Sequence, residues 1–383
     1  MAPIVDCAGC PSASINTGFA MGEGPTTAPI MFIGEALGEQ EAVEGRPFVG
    51  GTGKMLRMMI HQAGIPESMF YITNVVKCRP PGNRTPTPTE IDHCSLRYLH
   101  KELSHVKPRI IVPVGDVAMR AIIPDSRVGI VAGRGYTFQS KWGPAIPIVH
   151  PSFVARGNPH YWGITVADLG KVKAAGYGKP REHFEEKFIL RPTIDQVEEV
   201  VDKILRERLR FTFDLETIGE RETLNIMCIG FAWSPSHAIC VPFLTRGAHE
   251  YWKVKSHEEE AWRLLCSLFD SDVPMVGQNI FTFDIPKLLE VGVVVKRTDS
   301  LGNSRAHDTL IRHHNIATEL PHSLSFLTSI YTDMPHYKLM VKGAGGMMWA
   351  PDEIMWTYNM RDCVATYIAD QHITEEMKEA GLA

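Results

Sequence analysis

The chain has 383 residues, of which 44% are hydrophobic and 22% charged, a composition that suits a globular protein of about two domains. It has no apolar run of about eighteen residues, and MAPIVDCAGC lacks the features of a secretory signal, so the sequence predicts a soluble, intracellular protein. Residues 1–180 carry 18 Lys and Arg against 13 Asp and Glu, while residues 181–383 carry 21 against 31. The basic first half suggests a polyanionic partner, and the acidic second half suits a solvated surface or a metal site.

Short apolar runs alternate with helix-like segments in the first half. The runs PIMFIGEA, MFYITNVV, PRIIVPVG and PAIPIVHP are typical of strands, and KMLRMMIHQAG and TEIDHCSLRYLHKEL are typical of helices. This alternation predicts βα units and a parallel sheet. Polar clusters follow the apolar runs, and the carboxyl ends of parallel strands are where such clusters converge on a ligand.

Four of the cysteines form two pairs, Cys7 with Cys10 and Cys78 with Cys94. In a reducing compartment, clustered cysteines bind metal or do redox chemistry more often than they form structural disulfides. The spacings suit zinc or an iron–sulfur cluster, both of which take thiolate ligands. Spacing alone does not choose between these two, and four unrelated buried thiols are the remaining alternative.

Gly, Pro and charged residues interrupt the apolar periodicity in AAGYGKPREHFEEKFILRPT, so we place the join between the halves near residue 185. The predicted domains are residues 1–180 and 192–383, with a linker at 181–191. After the join, the helical stretch TIDQVEEVVDKILRERL leads into FTFDLET and IMCIGFAW, which are typical of adjacent strands. Both halves are therefore predicted to be α/β.

Six motifs occur in order along the first half: C-x2-C at 7–10, GEALG at 34–38, GRPFVG at 45–50, TNVVKCRPPGNRTPTP at 73–88, Cys94, and HPS at 150–152. In this order they resemble the family-4 uracil-DNA glycosylases. The resemblance implies an α/β/α glycosylase fold with a parallel sheet. It also implies a [4Fe–4S] cluster bound by Cys7, Cys10, Cys78 and Cys94. The implied role of the cluster is structural, shaping a DNA-contacting loop that includes Arg79 and Arg84.

The residue types in these motifs suggest how such a site would bind uracil and release it from DNA. Asn74 carries a donor and an acceptor on one amide, as uracil's O4 and N3–H require, and Phe48 offers a ring on which a flipped base can stack. His150 is the candidate donor to uracil O2, where charge develops as the base leaves. Glu35 would position water or offset the cationic sugar, as carboxylates do in glycoside hydrolysis. Ser152, in the HPS motif, is predicted to contact DNA.

Three positions depart from what is usual in that family. Leu37 and Ala42 stand where members usually have a proline and an acidic residue. The alternative is therefore a DNA-binding module, in which an inactive glycosylase-like domain tethers a nuclease to DNA. Val154 stands where a larger wedge residue is common, which favours single strands over uracil-containing duplex as the substrate.

The second half contains three acidic motifs. Asp214 and Glu216 lie two residues apart in FTFDLET, so a strand would direct both carboxylates to one face. VGQNIFTFDIPKL contributes Asp284, and YNMRDCVAT contributes Asp362 with Tyr358 on the same helical face. Four carboxylates at one place repel unless cations neutralise them. Two Mg²⁺ or Mn²⁺ ions would do so and would also support phosphodiester hydrolysis.

These motifs resemble the proofreading 3′–5′ exonuclease domain of family-A DNA polymerases, in the subclass with a tyrosine, over residues 192–383. The resemblance implies a ribonuclease H-like fold with a mixed sheet. The implied metal ligands are Asp214, Glu216, Asp284 and Asp362, and Tyr358 would orient the attacking water. Leu224, Asn225 and Asn279 are implied to contact the 3′-terminal nucleotides. Asp308 lies outside the motifs and is expected to be structural.

Taken together, the two resemblances predict a bifunctional DNA repair enzyme in the cytoplasm of a bacterial or phage-infected cell. It would excise uracil and degrade DNA from 3′ ends. Its predicted partner is DNA, either single-stranded or uracil-containing duplex, and a separate DNA polymerase is a further candidate. A proofreading accessory or a fragment of a family-A polymerase is a third alternative.

Overall fold

The protein forms two compact α/β units in a computed structural model, which describes residues 7, 9–10, 18–179, 185–218, 225–338 and 350–382. The units are Met1–Glu182 and His183–Ala383, and each contains one large sheet. This confirms the predicted fold class. Within the described ranges, no helix combines the length and apolarity needed to cross a lipid bilayer.

The first unit contains a five-stranded sheet in the order β2-β1-β3-β5-β4. Its strands are β1 Ile30–Gly34, β2 Phe70–Asn74, β3 Ile110–Pro113, β4 Phe138–Ser140 and β5 Gly143–Ala145. Neighbouring strands run parallel except β4 and β5, which form an antiparallel hairpin at one edge. Every residue of β1, β2 and β3 is buried, as expected for parallel strands covered on both faces.

Most helices of the first unit are short. The helices are α1 Glu39–Glu44, α2 Gly51–Gln62, α3 Pro88–Cys94, α4 His100–Val106, α5 Asp116–Ile122, α6 Ile130–Gly133, α7 Pro151–Ala155 and α8 Tyr161–Gly176. Of these, α2 and α8 are the longer ones. A π-helical turn, Ser95–Leu99, joins α3 to α4. Thr87 and Glu90 form a capping box at the start of α3, where Pro88 needs no hydrogen-bond acceptor. The cap fixes where the Cys78 loop ends and the helix bearing Cys94 begins.

The second unit contains a six-stranded sheet in the order β13-β12-β7-β8-β9-β6. Its strands are β6 Lys187–Ile189, β7 Phe211–Ile218, β8 Asn225–Ala232, β9 His237–Pro242, β12 Met275–Gly277 and β13 Ala306–Asp308, and β10 Leu244–Thr245 and β11 His249–Glu250 form a separate hairpin. β7 runs parallel to β12 and antiparallel to β8, so the sheet is mixed as predicted. β6 comes from the predicted linker and pairs with β9.

The helices of the second unit are α9 Ile194–Glu207, α10 Lys255–Asp270, α11 Asp284–Glu290, α12 Thr309–Ile316, α13 Leu324–Tyr331 and α14 Asp352–Glu379. The last of these packs against β7, β8 and β9. Its approach depends on Gly230 in β8, because a Cβ there would lie 2.2 Å from Asn359 Oδ1 and 2.9 Å from Cys363 Sγ. α14 therefore rests on the bare backbone of the sheet at this point.

Candidate active sites

The side chains of Asn74 and Phe48 meet over Gly34, at the carboxyl ends of β1 and β2. Gly34 pairs with Asn74 across the two strands. A Cβ at position 34 would lie 2.4 Å from Asn74 Oδ1 and 2.4 Å from Phe48 Cζ. Phe48 has a positive φ of 55°, and its backbone is covered by Gly53 at the start of α2. The glycines at 34 and 53 thus leave the space that brings the amide and the ring together.

Asn74 is buried, with 3% of the residue exposed. Among the described residues its carboxamide has no hydrogen-bond partner, although the Asn74 backbone carbonyl accepts a bond from Lys77. Buried amides in folded proteins are nearly always satisfied. A free donor and acceptor beside an aromatic ring are the features of a site that reads a planar polar ligand.

His150 is the N-cap of α7, and its Nδ1 lies 3.1 Å from Ser152 N and 2.8 Å from Ser152 Oγ. A backbone N–H can only donate, so Nδ1 accepts and the neutral imidazole carries its proton on Nε2. Burial, reinforced by Arg156, lowers the pKa of His150 to about 4. His150 is therefore a neutral donor through Nε2 at physiological pH, and Ser152 orients it.

Two carboxylates belong to the same region. Glu35 directly follows β1, and burial raises its pKa. Glu41 in α1 was missed by the sequence analysis; it is 8% exposed and its Oε1 accepts a bond from Gly50 N at 2.7 Å. The charge of Glu41 also acts on His150, partly opposing the effect of burial. Glu41 lies between the GEALG and GRPFVG motifs, and this position in the sequence could have indicated it.

Two of the four clustered cysteines, Cys78 and Cys94, have raised pKa values. Burial, followed by the charges of Cys94, Cys10 and Cys7, raises the pKa of Cys78 to about 12. Burial is also the main cause that raises the pKa of Cys94 to about 11, and Cys10 and Cys7 add to it. None of the four is in a disulfide. Four thiols brought together in this way, two of them with raised pKa values, suit a cationic metal centre, which stabilises thiolates.

The arginines predicted to contact DNA have partners in the loop after Cys78 and in α1 and α3. Arg79 donates to Asn83 Oδ1 at 2.7 Å and lies 3.4 Å from Glu39. Arg84 makes two bonds of 2.8 Å to Glu90, whose carboxylate is buried. These contacts tie both arginines to the protein, and their predicted contact with DNA stays a prediction.

The acidic site of the second unit brings together Asp214, Glu216 and Asp362. Each offers a carboxylate oxygen, and the three oxygens lie within 4.8 Å of one another. Burial, followed by Asp362 and Asp284, raises the pKa of Asp214 well above its usual range, and burial followed by Asp214 does the same for Glu216. The pairing of β7 with β8 shifts register after Glu216, where it skips Met227 of β8, and such irregularities are common beside active sites. Three carboxylates in this arrangement suit a divalent cation.

Asp284 lies beside this group as the first residue of α11. Its Oδ1 accepts a bond from Leu215 N in β7 at 3.0 Å. Burial raises the pKa of Asp284 to about 7. Asp284 acts electrostatically on Asp214, but it is not one of the three that meet within 4.8 Å. Its hydrogen bond to β7 holds the fourth predicted ligand at the edge of the site.

Two polar residues that the sequence analysis missed support the acidic site. Asn359 Nδ2 donates to Asp214 Oδ2 at 2.9 Å and to the Asp214 carbonyl at 3.1 Å. Lys338 Nζ donates to the Tyr358 hydroxyl at 3.1 Å and to Asp362 Oδ2 at 3.3 Å. The Lys338 ammonium thus places positive charge among the carboxylates. Asn359 precedes Asp362 by three residues on a helix, and that spacing could have revealed it.

The predicted nucleotide contacts are only partly described. Asn279 is exposed with a positive φ of 63°, and its Oδ1 accepts a bond from Thr282 at 2.7 Å. Asn225 is the exposed first residue of β8, and Leu224 lies outside the described residues. Asp308, which was expected to be structural, accepts hydrogen bonds of 2.9 Å from Leu310 N and from Asn279 N. It is the N-cap of α12.

Comparison with known proteins identifies the family. Residues 21–169 match the family model described as the uracil DNA glycosylase superfamily. A type-4 uracil-DNA glycosylase of Thermotoga maritima is 37% identical over 170 residues, which are 44% of this chain and 88% of that protein. The chain belongs to the uracil DNA glycosylase superfamily. A type-4 uracil-DNA glycosylase of Sulfurisphaera tokodaii is 39% identical over 178 residues, which cover 44% of this chain and 80% of that protein.

The chain is also similar to proteins of other kinds. The DNA polymerase of Bacillus phage SP01 is 28% identical over 203 residues, which are 51% of this chain. The chain spans only 22% of that polymerase. Among solved structures, the Nibbler EXO domain of Aedes aegypti has a TM-score of 0.39 and 14% identity, covering 52% of this chain and 94% of that one.

Proposed function

We propose that the first unit excises uracil from DNA by hydrolysing the N-glycosidic bond. The observation that carries this proposal is the carboxamide of the buried residue Asn74, free of protein partners among the described residues and placed beside the Phe48 ring. A base flipped out of DNA would stack on Phe48 and pair its O4 and N3–H with the amide. Relatives that are 37–39% identical bear the name type-4 uracil-DNA glycosylase, which supports the same substrate.

His150 and Glu35 would act on opposite sides of the breaking bond. As C1′–N1 opens, uracil leaves with negative charge on O2, and a preorganised donor stabilises that charge. His150 supplies the donor through Nε2–H, because Ser152 occupies its Nδ1. Glu35, at the end of β1, would offset the cationic sugar or position the attacking water.

Cys7, Cys10, Cys78 and Cys94 would hold a [4Fe–4S] cluster. The cluster, when bound, would supply a structural clamp, because N-glycosidic hydrolysis transfers no electron. The donor set fits, since none of the four thiols is in a disulfide and Cys7 and Cys10 lie close enough to raise the pKa values of Cys78 and Cys94. We expect brown protein with visible absorption and iron by elemental analysis. Equimolar zinc without iron would reject the cluster.

We further propose that the second unit is a 3′–5′ exodeoxyribonuclease. Asp214, Glu216 and Asp362 would hold Mg²⁺ or Mn²⁺, with Asp284 beside them. Two such ions, when bound, neutralise the carboxylates and stabilise the charge of phosphodiester hydrolysis. The Tyr358 hydroxyl, fixed by Lys338, would orient the attacking water. Contacts to the 3′-terminal nucleotides are proposed for Leu224, Asn225 and Asn279. In the first unit, contacts to DNA are proposed for Arg79 and Arg84.

One experiment separates the two activities. A uracil-containing oligonucleotide is incubated with the protein in EDTA and then treated with alkali, which cleaves abasic sites. Scission at uracil supports the glycosylase, whereas an intact strand favours the alternative in which an inactive glycosylase-like domain tethers the nuclease. In parallel, a 5′-labelled strand without uracil is incubated with Mn²⁺. A ladder that shortens from the 3′ end supports the nuclease, and its absence rejects it.

The substrate form and the polymerase partner need their own measurements. Comparing uracil release from single strands and from duplex tests the preference that Val154 suggests. A pull-down with a family-A DNA polymerase tests the proposed accessory role, which the similarity to a phage DNA polymerase makes worth measuring. Retention of the polymerase would support the accessory role, and its failure to bind at micromolar concentration would reject it.

A further inference from the structure

A buried lysine stands between the uracil pocket and the cysteine loop. Lys77 lies three residues after Asn74 and directly before Cys78, and 1% of its side chain is exposed. Its ammonium donates to the Asn74 carbonyl at 2.7 Å, to Thr73 Oγ1 at 2.5 Å, and to the Glu102 carboxylate. All three ammonium protons therefore have acceptors, as a buried charge requires.

The backbone of Lys77 reaches in the opposite direction, toward the cysteines. Its N–H donates to Cys94 Sγ at 3.2 Å. Its carbonyl accepts a bond of 3.0 Å from Ala20 N, in the segment that follows the N-terminal cysteine pair. A single residue thus bonds to a predicted metal ligand through its backbone and to the uracil-reading asparagine through its side chain.

Glu102, in α4, completes the connection. Besides Lys77, its carboxylate accepts bonds from Gly22 N at 2.8 Å, Thr73 Oγ1 at 2.9 Å and Tyr71 Oη at 3.2 Å. These donors come from the N-terminal segment and from β2. The Lys77–Glu102 ion pair consequently fixes the end of β2 relative to the elements that carry the cysteines.

We propose that Lys77 is a positioning residue that couples the cysteine-bound centre to the Asn74 amide. The proposal rests on the glycosylase function proposed above. A hydrogen bond to the Asn74 carbonyl sets the orientation of the peptide from which the carboxamide projects, and small misplacements of a substrate-binding group have large kinetic effects. Loss of the Cys94 thiolate releases the Lys77 backbone and lets the amide move. The metal centre thus supports base reading as well as the loop that carries Arg79.

The test uses a double variant, Lys77→Met combined with Glu102→Leu. It replaces the whole ion pair, so that no unpaired charge is left buried. The matched control is Arg134→Met with Asp168→Leu, a second ion pair of the same unit with exposures of 2% and 0%. Three quantities are measured for each protein: kcat/KM for uracil release, inhibition by free uracil, and hydrogen–deuterium exchange of the peptide covering residues 70–78. We expect the Lys77–Glu102 variant to lose about 10²-fold in kcat/KM. We also expect it to bind free uracil more weakly and to exchange faster over residues 70–78, while the control changes none of the three.

Cys94→Ser tests the direction of the coupling. We expect it to accelerate exchange over residues 70–78 in the wild-type background and to add nothing in the Lys77–Glu102 variant, because coupled changes are not additive. Wild-type exchange and uracil inhibition in the Lys77–Glu102 variant, equal changes in the Arg134–Asp168 control, or additive effects of Cys94→Ser would each overturn the inference. If the wild type releases no uracil, the glycosylase proposal fails, and the exchange data still decide the role of Lys77.

Discussion

The proposed uracil site would read its base through Asn74, Phe48 and His150, which carry no charge at neutral pH, whereas the acidic site gathers three carboxylates within 4.8 Å. Burial acts on both in the same direction, by disfavouring the charged form. It lowers the pKa of His150 to about 4 and raises the pKa values of Asp214 and Glu216. Neutral His150 is already in the form that its proposed reaction needs. The carboxylates are not, and they need cations to be ionised together.

This difference leads to the largest expected effect, the separation of the two activities. We expect Asp214→Ala with Glu216→Ala to reduce 3′-end degradation by at least ~10³-fold, because bound metal ions contribute several kcal/mol to transition-state stabilisation. Uracil release in EDTA should stay near wild type. The measurement is digestion of a 5′-labelled strand in Mn²⁺, followed by the alkali assay on a uracil strand.

The control for this pair is Glu198→Ala with Glu199→Ala, which removes two exposed carboxylates from α9 of the same unit. It should retain both activities. A 3′ ladder that persists in the Asp214–Glu216 variant would contradict the metal-site assignment, and loss of uracil release there would contradict the independence of the units.

The neutral site is tested by Asn74→Ala and His150→Ala, made separately. Each should slow uracil release by ~10²–10³-fold, the usual effect of removing one preorganised donor. Degradation from 3′ ends should be unchanged. Single-turnover release on a uracil oligonucleotide measures the first effect, and wild-type rates in both variants would place the pocket elsewhere.

Burial of His150 also makes a prediction about stability. Its pKa is about 4 in the folded protein against 6.5 as the ordinary value, so the unfolded chain binds the proton more readily between these limits. Stability is therefore complete above pH 6.5 and is lost as the pH falls toward 4. Between pH 7.5 and 5 the loss is about 2 kcal/mol. Urea unfolding of wild type and His150→Gln should differ by this amount over that range, and parallel pH profiles would show that the pKa of His150 is not lowered in the folded protein.

The smallest expected effect concerns Lys338, whose ammonium would compete with a bound metal ion for Asp362. We expect Lys338→Met to tighten Mn²⁺ binding by about fivefold, the equivalent of roughly 1 kcal/mol for a partly exposed ion pair. It should at the same time slow the nuclease, because Tyr358 loses its hydrogen bond. Titration calorimetry measures the affinity. Lys296→Met, which removes a 2.7 Å ion pair with Asp272 in the same unit, should change neither quantity, and weaker Mn²⁺ binding in Lys338→Met would reverse the assigned role.

Local sequence patterns predicted the fold class and the main motifs well. The apolar run MFYITNVV contains β2, which ends at Asn74, and FTFDLET forms most of β7, so the strands and the residue spacing within them were readable. Contacts made by residues distant in sequence were not. Lys77 interrupts the apolar run VVKC and resembles an exposed lysine until Glu102 is brought beside it by the fold. Lys338 lies 24 residues from Asp362, and no local pattern joins them.

The bare backbone at Gly230 has a consequence for how sequence change is tolerated in the second unit. α14 can lie this close to the sheet because Gly230 has no side chain. A Cβ at Gly230 would lie 2.2 Å from Asn359 Oδ1. Asn359 reaches Asp214 only because the helix lies that close. Gly230 therefore sets the spacing between α14 and the proposed metal site. A methyl group at this position would displace Tyr358, Asn359 and Asp362 together, because the same helix carries all three.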